Sequence, residues 1–316
     1  MLELKNIYPD LIIPSYFHIN ESHKEWRIIH HDYESGVNSL FDGEIDTPPA
    51  PMGEVRPFGR QLATTVKGRG EYIVAHIKSS SGQNEEIIMK TYKRGGLTAL
   101  FLPDIFNDAR RPLNELVLTE KARVSGVSVS EILGIQIKWI TPFLFRAKII
   151  SKKIPDTMTL EDFILFLLKN YKDKYSELYQ KKRNLIKSVS QAIGQLHQVG
   201  IYHSDLNIRN ILIQSPEGTI KTYIIDLDKS AYEQPLSFNK RVDNLIRLNR
   251  SLEKMIFKFK SLNINNIVTY TDRFLLLETY FNGLALGGKD QKRLVISSCL
   301  RHTRLHKWWW RLYRSG

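Results

Sequence analysis

The sequence predicts an α+β chain in two parts, a small β-rich amino-terminal lobe followed by a mainly helical carboxy-terminal lobe. Three observations carry this. Strand-like runs broken by turn residues fill positions 72–92, helical apolar stripes recur from Leu185 onward, and one strand–turn–strand unit is set among those helices at 211–225.

Tyr72–Ile77 reads as a strand, Ser79–Asn84 as a turn and Glu86–Tyr92 as a second strand. Pro112 then opens a helical run, Leu113–Lys121, because proline is tolerated at the first helical position. Leu185, Ile186, Val189, Ile193 and Leu196 fall on one helical stripe, with Gly200 as the cap that ends it. Ile211–Ile213 is a short strand, Ser215–Gly218 a turn and Ile220–Ile225 the returning strand. Leu245, Leu248, Leu252, Met255 and Ile256 form another stripe, and Phe274–Phe281 starts a further helix. The Pro-rich stretch Asp46–Gly53 reads as a linker. The expected division is therefore an extension and linker over 1–55, a catalytic domain over 56–260, and a helical extension with a basic Trp-rich tail over 261–316.

The chemistry concentrates in Gly200–Ile213 and Tyr223–Asp228. Asp205, Asn210 five residues later, and Asp226 at the end of an apolar strand form the catalytic set of a kinase. In that set the first carboxylate accepts the proton of the attacking hydroxyl. The amide and the second carboxylate hold the metal ions that bridge the nucleotide phosphates. Phosphoryl transfer is mostly positioning and charge neutralisation, for which hard oxygen ligands and Mg²⁺ are suited. The hairpin at 211–225 is expected to bring Asn210 close to Asp226. Helix, loop, hairpin and Asp come in the order of the lower lobe of a two-lobed, protein-kinase-like fold.

In the upper lobe, Gly68 and Gly70 flank Arg69 ahead of the first strand, where backbone amides can approach phosphates. That signal is weak, since no third glycine follows. Lys90 lies near the end of the second strand, where kinases keep the lysine that contacts the nucleotide phosphates; a surface strand lysine would look the same. Glu115 is the expected ion-pair partner of Lys90, with Glu120 as the alternative.

Asn207 occupies the position where protein kinases carry lysine, two residues after the catalytic Asp. Little chain separates Asp226 from the helical pattern at about Arg241, no Ala-Pro-Glu occurs there, and Asp228 replaces the glycine of Asp-Phe-Gly. A peptide-docking segment is missing, which points to a small molecule or glycolipid acceptor. Asp228 is a candidate to assist the metal, and Asn207 to orient Asp205 or the acceptor. Arg241, Asn244, Arg247 and Arg250 are expected near the catalytic loop, either as groups for an anionic acceptor or as a solvated helix face.

His203-Ser-Asp-Leu-Asn-Ile-Arg-Asn-Ile-Leu212 and Ile225-Asp-Leu-Asp-Lys229 resemble the catalytic and metal motifs of the bacterial lipopolysaccharide kinase family, which includes the 3-deoxy-D-manno-octulosonic acid (Kdo) kinases and the inner-core heptose kinases. Met89–Leu97, with its Tyr-Lys-Arg-Gly-Gly run, Ser151–Asp156, and Asn244–Lys254, with its Asn-Leu-x-Arg-Leu-x-Arg-Ser-Leu pattern, agree with it. The pattern is closer to Kdo kinases than to heptose kinases and spans about residues 60–255. The resemblance implies ATP-dependent phosphorylation of a Kdo hydroxyl on the lipopolysaccharide inner-core glycolipid, at the cytoplasmic face of the inner membrane. A heptose or other surface-sugar kinase, and a non-catalytic kinase-like binding protein, are the alternatives. The intact Asp205, Asn210 and Asp226 weigh against the latter.

Composition agrees. The 316 residues suffice for two lobes, and 42% hydrophobic with 25% charged residues excludes a disordered chain. The single cysteine, Cys299, excludes an intrachain disulfide and fits a reducing compartment. Met1–Asn6 lacks a signal-peptide pattern, and the apolar run Phe163–Leu168 is far shorter than the about 20 residues a membrane helix needs. A net charge of +13 asks for an acidic partner. Arg301–Arg314 holds five Lys or Arg residues and four aromatics, which suits reversible docking on an anionic membrane surface or packing of the Trp residues on the lower lobe. No nucleic-acid module is recognisable, so no nucleic-acid partner is expected.

Overall fold

Alternation between buried and exposed positions builds the first part of the chain around one sheet. The computed structural model describes residues 4–43, 55–58, 61–66, 72–93, 104–171, 173–260 and 267–283. Two compact units divide the chain, Met1–Glu120 with Ser130–Ile154, and Lys121–Val129 with Pro155–Gly316. The α+β partition is the expected one. The expected linker 46–53, Gly68, Gly70, Cys299 and the basic Trp-rich tail lie outside the described residues.

The first unit contains α1 (Leu4–Ile7), β1 (Phe17–Glu21), β2 (Glu25–His30), α2 (Glu34–Asp42), β3 (Val55–Phe58), β4 (Gln61–Val66), β5 (Tyr72–Lys78), β6 (Asn84–Thr91), α3 (Arg110–Val124, shared with the second unit), β7 (Ile132–Thr141) and β8 (Leu144–Lys152). Its strands form an eight-stranded antiparallel sheet in the order β1-β2-β7-β8-β6-β5-β4-β3. The first six residues of β7 are buried on both faces because helices cover the sheet from each side. Trp26, Ile28, Ile135, Ile137 and Phe145 pack with Leu113 and Leu116 of α3. Ile29, Ile87, Leu133 and Ile150 pack with Val37, Leu40 and Phe41 of α2. Each such fully buried aliphatic side chain contributes about 1.5–3 kcal/mol relative to exposure. A Cβ at Gly134 of β7 would stand 2.7 Å from Val37 Cγ1, so glycine there lets α2 seat on the sheet.

The sequence puts the start of the catalytic domain near Arg56 and leaves the residues before it either packed on that domain or forming a small extension. In the structure β2 pairs with β7 through Trp26↔Ile137 and Ile28↔Ile135, and α2 fills the second core. Pairing between strands so far apart in the chain leaves no local trace in the sequence.

The second unit contains β9 (Thr157–Thr159), α4 (Leu160–Asn170), α5 (Tyr175–Gln198), β10 (Ile201–Tyr202), β11 (Ile211–Gln214), a 3-10 turn (Pro216–Gly218), β12 (Lys221–Ile224), β13 (Ala231–Tyr232), α6 (Phe238–Lys260) and α7 (Tyr270–Gly283). The stripe predicted on α5 is buried at Leu185, Val189, Ile193 and Leu196. Gly200 ends that helix at φ +93°, and a Cβ there would lie 2.6 Å from the Glu233 carbonyl oxygen, so both conformation and space require glycine. The predicted hairpin is β11–β12, with Ile211↔Ile224 in register, and β9 extends it on the other side of β11. Only a short connection with β13, paired to β10, separates the hairpin from α6, which agrees with the absence of a long docking segment.

Candidate active site

The loop between β10 and β11 is tied to itself before anything else touches it. Asn207 Nδ2 and Asn210 Nδ2 both donate to the Asp205 carbonyl oxygen, at 3.0 and 2.9 Å. Asn207 Oδ1 accepts from the Arg209 amide at 2.9 Å, and the Asn210 amide donates to the Asn207 carbonyl at 3.1 Å. Asn207, expected to orient Asp205 or the acceptor, thus uses both ends of its amide to brace the loop. The Asp205 side chain remains exposed at its apex.

Three further ties anchor the loop to its surroundings. Arg209 Nε donates to Glu161 Oε2 at 2.8 Å, and Lys258 Nζ lies 3.4 Å from Glu161 Oε1. Glu161 sits buried in the first turn of α4, where burial works to raise its pKa but Arg209 and Lys258 hold it below the usual carboxylate range. The Ile208 amide donates to Ser251 Oγ at 3.2 Å. The third tie is His203, fully buried beneath the loop.

His203 has a defined tautomer. The Asp205 amide donates to its Nδ1 at 3.1 Å, so Nδ1 is unprotonated and the Nε2 proton is donated to the Ile225 carbonyl at 3.1 Å. Burial pushes its pKa down, consistent with a neutral ring. One imidazole therefore joins the Asp205 backbone to the residue before Asp226. Asn244 of α6, with no exposed surface, holds this unit from below: its Nδ2 donates to the His203 carbonyl at 2.7 Å and its Oδ1 accepts from the His203 amide at 3.0 Å. His197 Nε2 donates to the same Oδ1 at 3.0 Å, and His197 Nδ1 accepts from the Tyr280 hydroxyl of α7 at 2.7 Å. Burial pushes His197 down to about 3 and Tyr280 up to about 12, so imidazole and phenol are both neutral at physiological pH.

Asn210 and Asp226 are brought together as the hairpin predicts. The Ile225 amide donates to the Asn210 carbonyl at 3.0 Å, continuing the β11–β12 ladder to the residue before Asp226. Asp226 itself sits at φ 65° and Lys229 at φ 58°, in the left-handed region that costs an L-residue about 1–2 kcal/mol. The turn is held by Ser204 Oγ donating to the Asp228 carbonyl at 2.7 Å and by the Ser230 amide donating to the Leu227 carbonyl at 3.0 Å. Because its nitrogen is committed to Asp205, Asn210 presents oxygen as the other end of its amide, the hard donor that Mg²⁺ takes. Among the described residues, no three His, Cys, Asp or Glu side chains form a metal cluster. Mg²⁺ in nucleotide-transfer sites takes one or two carboxylates and completes its shell with phosphates and water, so an Asn210–Asp226 pair is of the right kind.

The first unit holds the other candidates. Lys90 of β6 pairs with Ile149 of β8, and its Nζ lies 5.8 Å from the Tyr92 ring centroid. The Tyr92 hydroxyl donates to Glu115 of α3, which is 6% exposed. Arg111 stacks between the Tyr92 and Phe106 rings at 5.4 and 5.2 Å. Glu120, the alternative to Glu115, accepts from the Tyr16 hydroxyl at 2.7 Å. Tyr92 therefore joins β6 to Glu115. Sequence reasoning passed over it because a tyrosine closing a strand reads as core.

The α6 polar groups divide. Arg241 and Asn244 point inward, Arg241 donating from Nε to the Leu236 carbonyl at 2.9 Å. Arg247 keeps 39% of its side chain exposed and pairs with Asp243 at 2.8 Å, which also accepts from Tyr202. Of the polar groups expected to face an acceptor, Asn244 and Arg241 are instead internal braces.

Comparison with known proteins bears on the family. A family model described as "Lipopolysaccharide kinase (Kdo/WaaP) family" matches residues 70–280. The 3-deoxy-D-manno-octulosonic acid kinase of Pasteurella multocida (strain Pm70) is 29% identical over 204 residues, covering 63% of this chain and 78% of that protein. The protein of the same name from Vibrio cholerae serotype O1 is 29% identical over 195 residues, covering 60% and 73%. A solved structure titled "WaaP in complex with acyl carrier protein" superposes with a TM-score of 0.48 at 16% identity, covering 80% of this chain and 88% of that one.

Proposed function

The chain belongs to the lipopolysaccharide kinase (Kdo/WaaP) family, and we propose that within it the protein is a Kdo kinase, transferring the γ-phosphoryl group of ATP to a hydroxyl of the Kdo sugar in the lipopolysaccharide inner core. The observation that carries this reading is the double tie at Asn210, which donates to the Asp205 carbonyl and accepts from the Ile225 amide, so that base and metal-side carboxylate share one short scaffold. Similarity to curated Kdo kinases supports the acceptor class.

Asp205 is the base. The sugar oxygen forms its bond to the γ-phosphorus as the bond from that phosphorus to the bridging oxygen breaks, ADP leaves with the electron pair, and the hydroxyl proton passes to the Asp205 carboxylate. Asn210 Oδ1 and the Asp226 carboxylate would hold Mg²⁺, with Asp228 as a further candidate. When bound, Mg²⁺ neutralises charge on the phosphate oxygens. Lys90 contacts the phosphates and Glu115 orients it; Gly68 and Gly70, outside the described residues, are candidates from the sequence for backbone contacts to the phosphates. Asn207, Arg209 and Asn244 keep Asp205 in place. Arg247, half-exposed on α6, is suited to an acceptor anion.

No helix among the described residues is long and apolar enough to cross a membrane. The basic, Trp-rich run at 301–314 supports reversible docking on an anionic leaflet, which would put the enzyme at the cytoplasmic face of the inner membrane beside its acceptor.

The test is transfer of label from [γ-³²P]ATP to purified Kdo-bearing lipid A with Mg²⁺. Label in the lipid, lost in Asp226→Asn and on chelation, is expected. Labelling of heptose-containing acceptors alone would refute the Kdo assignment, and absence of nucleotide binding would refute the kinase site.

A further inference from the structure

The chain before the family match, Leu4–Tyr16, is built onto α3, the helix that carries Glu115. Tyr8 is the first tie. Its hydroxyl donates to Asp108 Oδ1 at 2.7 Å and accepts from the Ala109 amide at 3.0 Å, while Asp108 Oδ1 also accepts from the Arg110 amide at 2.9 Å. Two of the amides left without intrahelical partners at the start of α3 are satisfied through this pair. Arg110 then stacks on the Tyr8 ring at 5.3 Å and pairs with Asp10 at 2.5 Å. Burial first, and then the Asp108 bond, push the Tyr8 phenol up to about 12, so it stays a donor. Tyr16 is the second tie, donating at 2.7 Å to Glu120, which is 1% exposed. Leu4 and Tyr8 share a core with Leu113 and Leu116, and Leu11 and Ile13, between the two ties, pack against it.

We propose that Leu4–Tyr16 is a positioning strap for the active site, in which Tyr8 fixes the amino-terminal end of α3 and Tyr16 fixes it at Glu120, so that Glu115 between them is held in register with Tyr92 and Lys90. The proposal rests on the reading of Glu115 as the orienter of Lys90. Tyr8 and Tyr16 touch no reacting atom and act through the helix. Loosening the strap therefore weakens the use of ATP and leaves the acceptor side alone.

The full-length enzyme with Tyr8→Phe, Tyr16→Phe and both together provides the test, read by amide hydrogen exchange of Leu113–Glu120 and by separate KM values for ATP and for Kdo-bearing lipid A. The double variant is expected to speed exchange in α3 about tenfold or more while β7 keeps its protection. It is also expected to raise the ATP KM about fivefold, with the acceptor KM within about twofold of wild type. In a Glu115→Gln background the tyrosine substitutions should add little, because both act on one element. Unchanged α3 exchange, an acceptor KM rising in step with that for ATP, or full multiplication with Glu115→Gln would each overturn the strap. Should the double variant fold poorly, Tyr8→Phe alone, which keeps the Tyr16–Glu120 bond, must move the same readouts in the same direction. A Glu115→Gln enzyme with wild-type kinetics but fast α3 exchange in the tyrosine variants has a different signature: the reading of Glu115 fails, and with it the strap's catalytic role.

Discussion

The two sets of residues proposed for catalysis, one in each unit, are assembled in opposite ways. In the second unit, Asp205, Asn207, Asn210 and Asp226 come from one short loop and the hairpin that follows it, and most of their mutual bonds lie within that stretch. In the first unit, Lys90, Tyr92, Glu115 and the tyrosines that brace α3 come from β6, a distant helix and the amino terminus. The local half is stiff by construction, since each backbone bond shortens the freedom of the next residue. The distributed half depends on packing and on single side-chain bonds, and it should yield to smaller perturbations.

The sharpest way to test the local half is at its apex. Asp205→Asn should lower kcat about 10³-fold, the usual range for losing a general base, with ATP affinity unchanged in a direct binding titration. The side chain is exposed, so its loss costs the fold little, and a variant retaining wild-type turnover would remove Asp205 from the reaction.

Asn244→Leu asks whether the loop is truly self-supporting. It leaves the His203 amide and His197 Nε2 buried without their acceptor, at a cost of about 2–4 kcal/mol in urea denaturation. A fall in kcat with an unchanged ATP KM is expected. Stability within about 0.5 kcal/mol of wild type would show that the brace is dispensable.

Acid probes the same brace without mutation. His197 has a native pKa of about 3 against an ordinary 6.5, so between those values the unfolded chain binds a proton that the folded chain refuses. Stability is therefore full above about pH 6.5 and is lost as pH falls, by up to about 1.4 kcal/mol per pH unit for this one group. His203, shifted in the same direction, steepens the loss. Chemical denaturation at pH 7.5, 6 and 5 measures the slope, which should flatten in His197→Gln; an equal slope in that variant would contradict a neutral buried His197.

Tyr92→Phe is the mildest change and falls on the distributed half. It removes one hydroxyl from a buried carboxylate, and kcat/KM for ATP should drop about tenfold with little effect on the acceptor, equivalent to about 1.4 kcal/mol. If the loss equalled that of Asp205→Asn, the contrast between the halves would not stand.

Much of the local half is legible in the residues alone. The α5 stripe, the Gly200 cap, the hairpin and the Asp205–Asn210–Asp226 spacing follow local periodicities, and local rules specify local geometry. Asn244 is not legible in its true role. An asparagine ahead of a helical stripe reads as a surface group, and only the arrival of His203 and His197 from other elements turns it inward. Tyr92 is hidden for the same reason, and nothing local in the sequence says that Tyr92 reaches Glu115 while Tyr16 reaches Glu120.

By itself the sequence determined the α+β class, the order of α5, the β11–β12 hairpin, α6 and α7, and the family, because backbone propensity and short spacings carry that information. Tertiary structure decided that β1 and β2 complete the sheet, that His197 and His203 stay neutral, and that α3 is tied down by Tyr8 and Tyr16. A buried polar group must find a partner somewhere, and which partner it finds depends on the packing of distant segments.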